Sequence, residues 1–151
     1  MNIFSKIMYL FSIALFIYFS ALIGVKFTYF YDLPSLAFII GGLLLIFVNY
    51  KISDVLKSLK TAISSNINIE QKEIILSKEI ISKMWNYVLF SSITVVLIGF
   101  IFSLSDADTS KMGVFLALIL IGIFYALFLK IFVFIPLETS LKKKMILNKL
   151  I

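Results

Sequence analysis

Long uncharged, mostly apolar runs alternate with short charged segments along this chain. Nineteen uncharged residues, Ile7 to Val25, lie between Lys6 and Lys26, and eighteen, Leu33 to Tyr50, between Asp32 and Lys51. Twenty-two, Met84 to Ser105, separate Lys83 from Asp106; eighteen more separate Lys111 from Lys130, with apolar character continuing to Leu137. A helix rises about 1.5 Å per residue, so each run matches the roughly 30 Å hydrocarbon core of a bilayer. The pattern predicts four transmembrane helices, at about 7–25, 33–50, 84–105 and 112–136. Helices are expected rather than strands, because lipid offers backbone polar groups no partner and barrel strands show short alternating segments.

A cleaved signal peptide is the rival reading of the first run. The run is longer than a usual signal core, and Phe19-Ser20-Ala21 makes a poor cleavage site, which favours a retained anchor. The expected outer loops, Lys26–Asp32 and Asp106–Lys111, are very short, so the spans pair as two hairpins. Between the hairpins lies an inner segment, 51–83. Ile52, Val55, Leu56, Leu59 and Ile63 recur there at helical spacing, with Lys57 and Lys60 between them. Ser64-Ser65-Asn66 interrupts the pattern; Asn68 and Gln71 resemble an N-cap and its third-position partner, and Ile74, Ile75, Ile80 and Ile81 follow. Two short amphipathic inner helices are expected, each extending a membrane helix. They would lie on the membrane surface, pack on each other, or dock a partner. The tail, 137–151, is expected to continue the fourth helix. The fold class is thus all-α: a polytopic membrane protein forming a single membrane domain over 1–151.

Composition sharpens this picture. Apolar residues make up 62% of the chain and charged ones 15%, against about 45–50% and 25% in soluble domains. All fourteen basic residues are lysine. With the N-terminus inside, eleven fall on the inner side (Lys6, six from Lys51 to Lys83, Lys142 to Lys144 and Lys149) and only Lys26 and Lys111 outside. This bias predicts an N-in/C-in topology and accounts for most of the +6 charge without nucleic-acid binding. Lys142 to Lys144 suit contact with anionic headgroups, and Trp85 and Tyr87 suit interfacial anchoring. Cysteine and histidine are both absent, which removes disulfides, thiolate metal sites and the common acid–base chemistries. With no carboxylate cluster either, neither catalysis nor a cofactor or metal site is expected.

The stretch YDLPSLAFIIGG opens the second run. Pro34 suits a first helical turn, Asp32 and Ser35 flank it, and the Asp32 charge suits the positive helix end. Gly41 and Gly42 allow another backbone close approach, since small residues favour packing in lipid. DLPSLAFIIGG followed by KISDVLKSLK resembles the second membrane helix and following inner helix of the MotA/TolQ/ExbB proton-channel family, above all the flagellar stator A-subunit. Gly99 followed by FIFSLSDADTSKMG resembles that family's end of helix 3, outer loop and start of helix 4. IGIFYALFLKIFVFIPLETSLKKK resembles its helix 4, proline and basic inner helix. The blocks keep the family's order and cover most of the chain.

The resemblance implies five copies surrounding single-span partner helices of the MotB/ExbD/TolR type in a bacterial inner-membrane complex driven by ion flow. Helices 3 and 4 would face the partner, through Ser92, Val96, Gly99, Gly122, Ile123, Ala126 and Pro136. Gly113/Ala117 and Gly122/Ala126, each four residues apart, form close-contact strips, within the subunit or between copies. The register departs from the family where a proton path needs hydroxyls: thirteen residues before Pro136 stands Ile123, and three before Gly99 stands Val96. No proline stands near Leu89, and the inner segment is far shorter than in flagellar relatives. Ser91, Ser92 and Thr94 are expected to bond their own helix backbone. Lys130 is the one charge inside a membrane run; it either snorkels to the inner headgroups or pairs with a carboxylate on a partner helix. Three readings follow: an ion-driven ring subunit, a non-conducting scaffold or assembly factor of the same architecture, and an unrelated four-helix membrane protein.

Overall fold

The computed structural model describes residues 10–15, 17–18, 32–66, 69–105 and 112–148. Most of the first expected span, both outer loops and Asn68 lie outside the described residues. The described residues are helical, and no strand occurs among them. Besides helical backbone at 10–15 and 17–18, the elements are α1 (Leu33–Leu44), α2 (Ile46–Asn49), α3 (Ile52–Ile63), α4 (Gln71–Ser105), α5 (Met112–Leu129), a π-helical turn (Lys130–Phe134) and α6 (Ile135–Leu147).

Among the described residues two helices are long and apolar enough to cross a membrane: α4, and the continuous run from Met112 to Leu147 through the π turn. Their lengths, 35 and 36 residues, correspond to about 50 Å each, some 20 Å more than a hydrocarbon core requires. The second inner helix and the third expected span are therefore one helix. The first inner helix behaves otherwise. Leu33–Asn49 and Ile52–Ile63 meet at a bend of 109°, so α3 turns across the preceding helix instead of extending it. Counting that bent pair as a span gives three among the described residues.

α4 is the element on which the others pack: α5, α1, α3 and α6 all lie against it. Seven of its buried positions, Ile74, Ser77, Ile81, Val88, Ser92, Val95 and Gly99, recur at steps of three, four or seven and draw one seam along the helix; the eighth, Ile80, turns toward α2 and α3. Steps of three and four keep a face toward a neighbour packed at a shallow angle. Near the far end, Phe102 of α4 stacks on Phe115 of α5 with centroids 6.2 Å apart.

Below the span, Ile74, Ile81, Leu141 and Ala62 join Ile39, Val88 and Phe134 in the main buried cluster. A second cluster, Ile46, Val55 and Ile80, fills the angle between α2, α3 and α4.

Candidate functional site

The chain entering α1 is fixed by its sequence. Asp32 is extended (φ −117°, ψ 103°), and its carboxylate accepts the Ser35 N–H at 2.9 Å, satisfying a backbone donor that a helix start leaves open. Pro34 occupies the first turn, where its missing N–H costs nothing. The Asp32 N–H in turn donates to the Tyr125 hydroxyl at 3.2 Å. Tyr125 stands thirteen residues into α5, about 20 Å along its axis, and a phenol reaches only part of that distance. Asp32 is therefore recessed well below the start of α5. It is half-buried, and Ser35 beside it is fully buried with a hydroxyl that has no hydrogen-bond partner.

Glycines set the contacts between the spans. A Cβ on Gly42 would lie 2.9 Å from Ser91 Cβ and 3.1 Å from the Tyr87 carbonyl oxygen, so α1 and α4 touch through their backbones there. Gly41, one residue earlier, is exposed and has nothing within 4 Å of that position. The pair is thus one contact glycine and one open glycine. Just beyond, the Leu45 N–H is shared between the Gly41 and Gly42 carbonyls at 3.3 and 3.1 Å, a local tightening where α1 runs on into α2.

Between α4 and α5, a Cβ on Gly99 would meet Ile119 Cγ1 at 2.8 Å, and one on Gly122 would meet Val95 Cγ1 at 3.0 Å. Ser92, Gly99, Gly122 and Ala126 are thereby brought into one seam within the chain. Val96 is half-buried, Pro136 is half-buried, and Ile123 is exposed on the outer face of α5. Gly113 and Ala117 also face outward, and Gly113 has open space around it. Thr94 bonds the Phe90 carbonyl at 2.9 Å, as a helical hydroxyl is expected to. Ser92 does not: its hydroxyl is buried without a partner in the seam.

Lys130 finds its partner within the chain. Its ammonium lies 3.1 Å from Glu138 Oε1 and 4.6 Å from the centre of the Trp85 ring. Trp85 packs in turn on Phe134, with ring centroids 5.6 Å apart. The expected carboxylate therefore stands two turns along the same helix run, beyond the π turn, and no second chain is needed to neutralise the charge. In the π turn the Ile135 N–H bonds the Lys130 carbonyl five residues back. Pro136 would press its ring on the carbonyl four residues before it, and a wider turn leading into it eases that clash.

Further inside, α6 holds the end of α3 by hydrogen bonds. Ser140 Oγ donates to the Ala62 carbonyl at 2.6 Å, the Lys144 ammonium donates to the Thr61 carbonyl, and the Asn148 amide donates to the Ile69 carbonyl at 2.5 Å. These donors stand four residues apart on one face of α6. Ser140 and Lys144 satisfy last-turn carbonyls that the end of α3 leaves open, and Asn148 ties down the connection that follows. Lys144 is buried, unlike its neighbours Lys142 and Lys143, and desolvation lowers its pKa from the ordinary lysine value. Glu73 accepts from Thr61 Oγ1 at 2.5 Å and pairs with Lys57 at 2.8 Å. The Lys57 and Thr61 hydrogen bonds together hold its carboxyl below the ordinary glutamate value.

Sequence reasoning did not foresee these inner contacts, because they join α3 to residues some eighty positions away. The only local signal was the spacing of Ser140, Lys144 and Asn148. Among the described residues no group of His, Cys, Asp or Glu is arranged to hold a metal ion. No family model, curated protein or solved structure matches the chain.

Proposed function

We propose that this chain is a four-span, N-in/C-in subunit of a homo-oligomeric ring, pentameric by resemblance to the MotA/TolQ/ExbB family. The ring surrounds a single-span partner of the MotB/ExbD/TolR type in an ion-driven complex of a bacterial inner membrane. The observation that carries the proposal is the shape of the two long helices. Each has an apolar part long enough to cross a bilayer and a polar extension beyond it, and both extensions are tied to α3, α4 through Glu73 and α6 through Ser140 and Lys144. A movement of the spans would thus be passed to the inner half without a flexible joint. The outer faces of α4 and α5 support an assembly: Leu97, Phe100, Leu116, Leu120, Ile123 and Leu127 are all exposed, beside the uncovered Gly113 and Ala117.

A second reading, a non-conducting scaffold of the same architecture, is favoured by a specific observation. Where the family resemblance calls for hydroxyls, the chain carries Val96 and Ile123, and its one membrane-level cation is already neutralised by Glu138. Native mass spectrometry of the complex extracted in mild detergent tests the proposal. A pentameric mass with a co-purifying single-span protein bearing a membrane carboxylate is expected, and a monomer overturns it. Proton flux in liposomes holding the full complex then separates the two readings: partner-dependent flux supports the driven subunit, and an intact ring without flux supports the scaffold.

A further inference from the structure

A surface helix of a globular protein turns its apolar stripe toward the core. The structure shows another arrangement. The face of α3 packed on α4 and α6 consists of Val55, Ser58, Thr61 and Ala62, mostly small or polar side chains. Ile52, Leu56 and Ile63 point away from the protein and are 61%, 61% and 59% exposed, with Leu59 half-buried between them. These four positions, at steps of four, three and four, form a continuous greasy strip about three turns long. Lys60 lies along its flank and is exposed, whereas Lys57, further round the helix, is paired with Glu73 of α4.

A strip of this kind needs an apolar medium, and its position supplies one. Ile52 follows the end of α2 by three residues, so α3 starts where a membrane helix leaves the bilayer. The 109° bend then directs α3 across that helix's axis. With Leu33–Asn49 upright in the membrane, α3 lies close to the bilayer plane, the setting in which an amphipathic helix sinks its apolar face to the boundary of headgroups and acyl chains. The flanking Lys60 complements anionic phospholipid headgroups.

We infer that α3 is an interfacial helix: Ile52, Leu56 and Ile63, with the outer edge of Leu59, insert into the leaflet that α2 leaves, and Lys60 meets its anionic headgroups. The inference rests on the membrane-spanning character of the chain, and on nothing about partner or ion. It makes α3 a sensor of the lipid surface, tied through Thr61 and Ala62 to α6 and hence to the fourth span.

The chain has no cysteine, so single labels are easily placed. Leu56→Cys, Ile63→Cys, Lys60→Cys and Leu97→Cys variants of the full chain would carry a nitroxide in vesicles of phosphatidylcholine and phosphatidylglycerol. Accessibility to oxygen is then compared with accessibility to a water-soluble nickel complex. The oxygen-to-nickel ratio is expected to be severalfold higher at positions 56 and 63 than at 60. In vesicles of phosphatidylcholine alone, the ratio at 56 should fall. Aqueous exposure of 56 and 63, with 97 in the hydrocarbon, overturns the inference while leaving the span intact. Aqueous exposure of 97 as well overturns both. Shielding of 56 and 63 from both reagents, with spin–spin broadening between copies, shows that a second copy covers the strip and also overturns the inference.

Discussion

The same two long helices hold together in two different ways along their length. In the apolar part, α1, α4 and α5 meet through small residues: Gly42 on Ser91, Gly99 on Ile119, Gly122 on Val95. In the inner part, α3, α4 and α6 meet through side-chain hydrogen bonds to backbone carbonyls and through ion pairs, around Ile74, Ile81 and Leu141. The difference follows from the solvent. Burying an isoleucine removes it from water at a gain of about 1.5–3 kcal/mol, but lipid tails are already apolar. Helices in lipid must therefore gain their cohesion from close packing. Helices in water gain it from burial, and their polar termini must still be paired.

The sharpest way to break this contrast is steric. Gly42→Leu drives a side chain into Ser91 and the Tyr87 carbonyl, and should destabilise the folded chain by about 3 kcal/mol. Gly41→Leu, one position away in open space, should change stability by less than about 0.5 kcal/mol. Denaturation of both variants in mixed micelles, followed by circular dichroism, checks the pair. Similar losses in both would show that α1 does not meet α4 as described.

A smaller effect is expected at the junction of the two parts. Glu138→Leu leaves the Lys130 ammonium half-buried with only the Trp85 ring, a loss of about 1–2 kcal/mol. Lys130→Leu should cost less, because leucine suits the apolar surroundings. The same denaturation measurement ranks them. Co-purification of any partner should survive Lys130→Leu, since the lysine's carboxylate belongs to its own chain.

The smallest effect lies in the inner part, at Glu73. Its carboxyl titrates below the ordinary value of 4.5, so its contribution is present above that pH and fades as pH falls through the lowered value. Glu73→Gln should cost about 1 kcal/mol at neutral pH. Wild type and variant should converge in acid. Proteolysis of the 64–70 connection, followed over pH, reads this directly, and a constant difference down to low pH would remove Glu73 from the inner contacts.

Much of the architecture was legible because lipid imposes lengths. The runs 33–50, 84–105 and 112–136 are helical in the structure, and the Asp-x-Pro-Ser start of α1 folds through the cap its residues favour. The α4–α5 seam was harder to read. In a helix apolar on every side, periodicity vanishes, and the seam is marked by the small residues Ser92, Gly99, Gly122 and Ala126 instead. Those same residues suit contact within a subunit or between copies, and nothing local separates the two. The bend after α2 was not legible either. Ile52, Val55, Leu56 and Leu59 look like one apolar face, yet Val55 turns inward while the other three turn outward or to the edge. The outcome depends on where α4 and α6 lie, which a local window does not contain. Lys130 was conspicuous, but its partner lay past a π turn that shifts the helical phase.

That π turn has a consequence for the whole molecule. Each residue advances a helix by about 100°, so the extra residue accommodated between Lys130 and Phe134 sets the angular phase of everything downstream. It decides which compass direction Ser140, Lys144 and Asn148 point. Dropping one residue from this turn would swing all three away from the carbonyls they now hold, leaving the helices on either side intact but α3 no longer held by α6.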